Sequence, residues 1–200
     1  MPQRAMRRTG TTRERILATA AELFARDGYK ATNLLLVAEE LGITRQALYY
    51  HFPSKGDILA ALVSELRLRI EEKIASVPKS PDTYFLDMFL AHIEVVLENV
   101  DLFAVFQREA SEIAQLPQTD AGQWTRQYMN TFIDAYKLGV RAGNLRRIDS
   151  RAATNVLINS ANAIPVWYRD TNRHNIDSSG AAKFVFDILV RGVVKTVDGS

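Results

Sequence analysis

The regular spacing of apolar residues constrains the fold of this chain more than any other feature of its sequence. Thr11 and Glu14 form the pattern of a helix-capping box, and apolar side chains then recur every three or four residues until Gly28. The same period returns in the later segments, and we find no persuasive pair of alternating strand patterns. The sequence therefore predicts an all-α fold whose helices are separated by short connections.

Glycine, proline and capping residues divide this pattern into shorter helices at the start and longer ones afterwards. The first part predicts helices over about residues 12–27, 34–41, 45–51 and 55–77. Beyond Pro78 and Pro81 the spacing predicts helices over about residues 82–99, 101–115, 120–142, 149–169 and 178–197. Pro165 has no backbone N–H, and we expect it to kink the helix that contains it.

Composition limits the classes of protein to which this chain can belong. With 200 residues, 47% of them apolar, it is long enough to bury a core in one or two domains. The absence of cysteine excludes disulfides, iron–sulfur clusters and thiolate zinc sites. No apolar run approaches the roughly 18 residues that span a bilayer, and the basic start lacks the apolar core of a secretory signal. We therefore expect a cytoplasmic protein with no membrane partner.

The formal net charge of +2 hides an uneven distribution of charge. Residues 1–56 contain nine Lys and Arg against five Asp and Glu, whereas the other 144 residues contain sixteen against eighteen. A small basic segment joined to a slightly acidic remainder indicates a polyanion partner for the first part. An ordinary solvated surface also explains a difference of this size, so charge alone leaves both interpretations open.

Residues 34–51 have the pattern of a helix-turn-helix. Gly42 suits a turn that needs a left-handed backbone, and the small Ala38 leaves room for two helices to approach closely. The second helix of the pair then has an outward face on which Arg45 can pair with guanine and Gln46 with adenine. Taken alone, the pattern also fits an ordinary helical hairpin.

Longer motifs in this region resemble the DNA-binding domain of the TetR (tetracycline-repressor) family. They are A-x-x-L-F-x-x-x-G-Y at residues 20–29, Ala31-Thr32, and L-G-I-T-x-x-x-L-Y-Y-H-F-x-x-K at residues 41–55. The resemblance implies a helix-turn-helix DNA-binding domain over residues 1–56. It also implies a helical ligand-binding and dimerisation domain over residues 57–200.

The resemblance assigns DNA-contacting roles residue by residue. Two residues match base-facing positions, namely Arg45 and Gln46. Others match positions that contact phosphates or base edges, namely Thr32, Thr44, Tyr49, Tyr50, His51 and Lys55. The implied partner is double-stranded DNA.

Two stretches beside these motifs leave alternatives open. The run Leu34-Leu35-Leu36 places Leu35 where relatives often carry an arginine, so its helix either reads no base or contacts thymine methyl groups. The arginines at the start of the chain form either a flexible arm that reaches a minor groove or a solvated tail. They are Arg4, Arg7 and Arg8.

The second domain is expected to bind a small molecule. Four aromatic residues are candidates for a binding pocket, namely Phe89, Phe106, Trp124 and Tyr128. Polar residues within apolar stripes also indicate a pocket, because burying an unpaired polar group costs roughly 1–3 kcal/mol. They are His92, Gln107, Asn159 and Asn162. Ordinary core packing and satisfied structural contacts explain the same residues equally well.

The end of the chain carries signals for dimerisation and for the kind of effector. The last two predicted helices have apolar stripes that can close a four-helix bundle with a second subunit. The stretches at residues 143–146 and 167–169 are similar to TetR-family regulators of lipid or steroid breakdown, which respond to acyl-thioesters. The resemblance therefore implies a homodimer and a small apolar or acyl-type effector such as an acyl-CoA.

These features predict a ligand-responsive transcriptional regulator, expected to be a repressor, that binds a palindromic operator as a dimer and is released by its effector. The alternative is a small-molecule-binding or protein-interaction helical module with no specific operator. The nucleophile-elbow, metalloprotease, dinucleotide and phosphate-loop motifs do not occur in the sequence. We therefore expect that this protein is not an enzyme, has no catalytic residue, and binds no metal and no cofactor.

Overall fold

The computed structural model describes residues 10–116, 120–171, 178–191 and 193–194. Within these ranges the chain is helical and has no β-strand, which confirms the predicted fold class. Its helices are α1 (Thr12–Asp27), α2 (Leu34–Leu41), α3 (Arg45–His51), α4 (Lys55–Ala75), α5 (Tyr84–Glu98), α6 (Val100–Arg108), α7 (Ala110–Ile113), α8 (Ala121–Ala142), α9 (Ser150–Asn162), α10 (Ile164–Thr171) and α11 (Ser178–Val190).

Capping residues explain where several of the helices begin. The predicted capping box is present at α1: Thr11 Oγ1 accepts from the Glu14 N–H, and Glu14 Oε2 accepts from the Thr11 N–H at 2.8 Å. Asn33 caps α2 in the same way by accepting from the Leu35 N–H at 3.0 Å. These bonds join residues two or three positions apart, so the local sequence predicts them.

Two predicted helices are divided in the structure. The helix expected over about residues 101–115 becomes α6 and α7, because Glu109 between them has a φ of −104° and a ψ of 22°. The helix expected over about residues 149–169 is divided at Ala163, two residues before Pro165. Pro165 cannot donate to the carbonyl four residues earlier, so the expected kink is a complete break.

The chain forms two compact units. The first comprises Met1–Leu68 and Asp101–Ala121, and the second comprises Arg69–Val100 and Gly122–Ser200. The fully buried core of the first unit includes Ile16, Ala20, Phe24, Val37, Leu48, Ile58 and Leu59. The fully buried core of the second includes Met88, Phe89, Ile93, Val96, Phe132, Tyr136 and Ile164. The α6–α7 segment thus packs with the helix-turn-helix, although it follows residue 56.

The described residues lack two kinds of feature, a membrane-spanning helix and a cluster of metal ligands. None of their helices combines the length and the apolar composition that crossing a membrane demands. The same part of the chain contains no group of three or more His, Asp or Glu side chains arranged to hold a metal ion.

Candidate functional site

The first unit holds α2 and α3 in a rigid helix-turn-helix. Gly42 has a φ of 63° and a ψ of 31°, the left-handed conformation that the sequence predicts for this turn. Thr44 then caps α3, because its Oγ1 accepts from the Ala47 N–H at 3.1 Å. On the inner side of α3, Leu48 is 1% exposed. A turn, a cap and a buried anchor therefore fix the orientation of this seven-residue helix.

The outer side of α3 carries the residues that the sequence assigns to base recognition. Arg45 and Gln46 are both exposed, and the Arg45 guanidinium lies 5.3 Å from the centroid of the Tyr49 ring. Tyr50 is 85% exposed and meets the half-buried His51 edge-on at 5.4 Å. We call the exposed side chains of Thr44, Arg45, Gln46, Tyr49 and Tyr50 the recognition face. It combines donors, a cation and aromatic edges, which are the groups that read bases and contact phosphates.

The structure places Thr32 and Lys55 differently from the expected phosphate contacts. The Thr32 side chain is buried and its hydroxyl donates to the Gly28 carbonyl at 2.8 Å. The Lys55 ammonium donates to the carbonyls of Tyr29, Lys30 and Thr32 at 2.7, 3.2 and 3.1 Å. An ammonium has three donors, so these bonds occupy Lys55 within the protein. Both side chains stabilise the connection between α1 and α2.

The leucine run at the start of α2 is divided between core and surface. Leu34 is buried, Leu36 is half-buried and Leu35 is 38% exposed. Leu35 therefore provides an apolar surface on α2, and both alternatives for its role stay open. The arginines at positions 4, 7 and 8 lie outside the described residues.

The same connection is also held by residues that the sequence analysis missed. Glu109 is 8% exposed, and its Oε1 accepts from the Tyr29 N–H at 3.1 Å and from Arg108 Nε at 3.2 Å. Arg108 also donates to the Phe24 carbonyl at the end of α1. Eighty residues separate Glu109 from Tyr29, so no local sequence signal could reveal this contact.

The second unit brings three of the predicted ligand-binding residues into one hydrogen-bonded group. His92 on α5 is 2% exposed, and its Nε2 lies 2.9 Å from Asn162 Oδ1 on α9. Its Nδ1 lies 2.7 Å from the Tyr128 hydroxyl on α8. We call these residues the polar triad. Burial lowers the pKa of His92 to about 4 and raises the pKa of the Tyr128 phenol, so both side chains are neutral near pH 7.

Aromatic side chains surround the polar triad. The Phe132 ring meets His92 at 6.1 Å and Tyr128 at 5.1 Å, and Trp124 stacks on Tyr128 at 5.2 Å. The Trp124 indole donates to Glu71 Oε1 at 2.8 Å, a contact that the sequence analysis missed because 53 residues separate the two. Tyr128, Asn162 and Trp124 are each half-buried, so parts of these side chains reach solvent. A mostly apolar site with a few converging polar groups is typical of a small-molecule site.

The remaining predicted ligand-binding residues have other positions. Phe89 is fully buried and stacks against Phe85 at 6.3 Å in the core of the second unit. Asn159 is exposed, and its amide donates to the Asn155 carbonyl within α9. Phe106 and Gln107 belong to the first unit, and Gln107 is exposed rather than buried in an apolar stripe.

Four exposed apolar side chains lie on the last three helices of the second unit. Val156 on α9 is 65% exposed, Val166 on α10 is 76% exposed, and Phe184 and Ile188 on α11 are 62% and 55% exposed. We call these four side chains the apolar face. They lie on α9, α10 and α11, the part of the chain that the sequence assigned to dimerisation. The side chain of Trp167 lies outside the described set.

These features define the class of protein: a helical DNA-binding protein with a helix-turn-helix unit and a second helical unit. Comparison with known families matches residues 16–62 to "Bacterial regulatory proteins, tetR family". Residues 79–193 match "Tetracyclin repressor-like, C-terminal domain". The chain therefore belongs to the TetR family of bacterial transcriptional regulators.

Individual relatives agree with this membership. The transcriptional repressor KstR2 of Rhodococcus jostii is 27% identical over 187 residues, which cover 90% of each chain. The solved structure of the ketosteroid transcriptional regulator KstR2 of Mycobacterium tuberculosis superposes with a TM-score of 0.80 at 22% identity, covering 94% of this chain and 98% of that one. AibR, solved with isovaleryl coenzyme A and operator DNA, gives a TM-score of 0.74 at 18% identity, covering 88% and 96%. At these identities the two structures establish the shared fold.

Proposed function

We propose that this regulator binds a palindromic DNA operator as a homodimer, represses transcription there, and is released by a small apolar or acyl-type effector. Residues 1–56 would form the DNA-binding domain, and residues 57–200 the ligand-binding and dimerisation domain. The observation that carries the proposal is the recognition face: its polar and aromatic side chains are exposed, while Leu48 anchors the opposite side of α3. Because it binds DNA, the protein would act in the cytoplasm.

In this proposal the recognition face enters the major groove. Arg45 would pair with guanine and Gln46 with adenine, since these side chains match the donor and acceptor pattern of those bases. The Thr44 hydroxyl accepts within α3 but keeps its proton, which it can donate to a phosphate oxygen. Tyr49, Tyr50 and His51 would contact phosphates or base edges. Thr32 and Lys55 would contribute by holding the α1–α2 connection in place.

The effector would bind in the aromatic cluster around the polar triad. Support comes from the half-buried Tyr128, Asn162 and Trp124, which give a ligand access to a cluster that is otherwise buried. The acyl-type class is suggested by AibR, whose structure contains isovaleryl coenzyme A. Ligand and operator would bind to the same protein with a coupling free energy of typically 1–3 kcal/mol.

Operator binding is tested by substituting the recognition face. A selected operator bound by the full chain should lose about 1–3 kcal/mol of binding free energy on Arg45→Ala, and a similar amount on Gln46→Ala, in fluorescence anisotropy titrations. Arg26→Ala is the matched control, because Arg26 is exposed and pairs with the adjacent Asp27. Equal affinity of wild type and both recognition-face variants would refute the proposal and favour the module with no specific operator.

Dimerisation is tested on the apolar face. Phe184→Lys and Ile188→Lys place charges where a second subunit would bury apolar surface, and they should convert a dimer into a monomer in sedimentation experiments. Leu68→Lys is the control, because Leu68 is 57% exposed on α4 and lies outside the apolar face. A dimer that survives both charge substitutions would show that subunits pair elsewhere.

A further inference from the structure

The hydrogen bonds of His92 determine which ring nitrogen carries the proton. Asn162 Oδ1 lies 2.9 Å from Nε2, and because a carbonyl oxygen only accepts, Nε2 must be the protonated nitrogen that donates. In a neutral imidazole the other nitrogen is then an acceptor. The Tyr128 O–H, 2.7 Å from Nδ1, must therefore donate to the ring. These two contacts set the direction of both hydrogen bonds between the His92 ring and its partners Asn162 and Tyr128.

This direction also orients the Asn162 amide. Its oxygen is turned toward His92, so its NH₂ group points to the other side. Among the described residues, Asn162 Nδ2 has no hydrogen-bond partner. The side chain is half-buried, so part of it is accessible from solvent. The polar triad thus offers two N–H donors to a bound molecule, while the one proton of Tyr128 is already used.

The surroundings favour an uncharged molecule. Aromatic rings make up most of the cluster around the polar triad, and the exposed Glu71 carboxylate accepts from the Trp124 indole. Burying a carboxylate among aromatic rings costs free energy, because the charge is removed from water. A neutral oxygen that accepts hydrogen bonds satisfies the Asn162 donors without this cost.

We propose that Asn162 recognises a neutral carbonyl oxygen of the effector, as found in a ketone, ester, amide or thioester, and that the hydrogen bond between His92 Nε2 and Asn162 Oδ1 imposes this choice by turning the amide NH₂ away from the ring. The inference rests on the proposed function, because it takes the aromatic cluster to be the effector site. It goes further by naming the atom on the effector that is recognised and the residue that recognises it.

The test compares four probes that share one rigid apolar skeleton: adamantane, adamantanone, adamantanol and adamantane carboxylate. Each is titrated into the full-length protein without DNA, by calorimetry and by tryptophan fluorescence, to which Trp124, stacked on Tyr128, contributes together with Trp167. One hydrogen bond to a neutral group corresponds to about a tenfold difference in affinity. Adamantanone should therefore bind about tenfold more tightly than adamantane, more tightly than adamantanol, and far more tightly than the carboxylate.

Two variants separate recognition from structure. Asn162→Leu should reduce the affinity for adamantanone to that for adamantane, whereas Asn130→Leu, which removes an exposed amide on α8, should change neither. Tyr128→Phe removes the donor to Nδ1, so His92 can adopt either tautomer and the Asn162 amide can turn over. The preference for ketone over alcohol should then fall to within about twofold, with adamantane affinity retained.

The outcomes are distinguishable. Equal binding of ketone and hydrocarbon, or a preference for the alcohol in the wild type, overturns the carbonyl inference and leaves the effector site standing. Failure of every probe to bind overturns both the inference and the proposed effector site, while operator binding by the recognition face is judged separately. Nitrogen NMR of His92 gives an independent check, and a proton on Nδ1 would overturn the inference even where a variant fails to fold.

Discussion

The recognition face and the polar triad are both polar sites on a helical protein, yet they are assembled in opposite ways. The recognition face lies within one short helix, and its cap joins Thr44 to a residue three positions away. The polar triad joins α5, α8 and α9 across 36 and 70 residues of chain. The face is exposed, whereas the imidazole of His92 is buried.

Because of this difference, substitutions in the two sites should have different effects on binding and on the free energy of unfolding. Substituting an exposed side chain changes the free energy of unfolding little, because water replaces the contacts of that side chain. Buried hydrogen-bonded groups cost free energy when a partner is removed, because the remaining donor or acceptor is left unpaired. Substitutions of Arg45, Gln46 or Tyr50 should therefore change DNA binding alone, whereas those in the polar triad should change ligand binding and folding together.

The first prediction concerns stability: the buried side of α3 should contribute much more to the free energy of unfolding than the exposed recognition face. Leu48→Ala removes an anchor that is 1% exposed and should lower the free energy of unfolding by about 2–5 kcal/mol in urea titrations. Tyr50→Ala, at a residue 85% exposed, should change it by less than about 0.5 kcal/mol. A destabilisation by Tyr50→Ala as large as that by Leu48→Ala would contradict the division between anchor and face.

A second prediction concerns the pH dependence of stability. Because the pKa of His92 is about 4 in the folded protein and 6.5 for an ordinary histidine, the unfolded chain binds a proton in this range that the folded chain does not. Stability should therefore fall as the pH is lowered from 6.5 toward 4, by roughly 3 kcal/mol from this residue.

His92→Gln isolates that contribution, because other groups titrate in the same range. Glutamine keeps hydrogen-bonding capacity but takes up no proton. The difference in unfolding free energy between wild type and variant should narrow or reverse below pH 6.5. Parallel pH profiles of the two proteins would mean that His92 is not held neutral in the fold.

The last prediction compares the stability cost of substituting one glycine in each unit, Gly42 in the first and Gly139 in the second. Gly42→Ala should cost about 1–2 kcal/mol because φ is +63°, although no atom lies within 4 Å of the added Cβ. Gly139→Ala should cost about 1–3 kcal/mol for a different reason, since its Cβ would lie 2.7 Å from Leu145 Cδ1. Gly42→Asn should recover part of the first loss, because asparagine tolerates the left-handed region, whereas Gly139→Asn should be worse than alanine. Thermal unfolding of the four variants tests this order.

Predictability from sequence follows the same division between local and distant contacts. The capping box at Thr11, the turn at Gly42 and the bounds of α1 and α2 depend on neighbours along the chain, so their patterns were visible in the sequence. The inward positions of Thr32 and Lys55 were not visible, because they depend on carbonyls brought close by the α1–α2 connection. The exposure of Gln107 and the burial of Glu109 likewise depend on which helices pack around α6.

Local patterns in the sequence predict that the chain is helical, where most of its helices begin and end, and that it carries a TetR-type helix-turn-helix. Helix periodicity, caps and turn residues depend on contacts between residues a few positions apart, so the sequence shows them directly. The hydrogen bonds among Tyr128, His92 and Asn162, and the direction of each, depend on tertiary packing. Those bonds form between helices far apart in sequence, and burial removes the water that would otherwise satisfy each group separately.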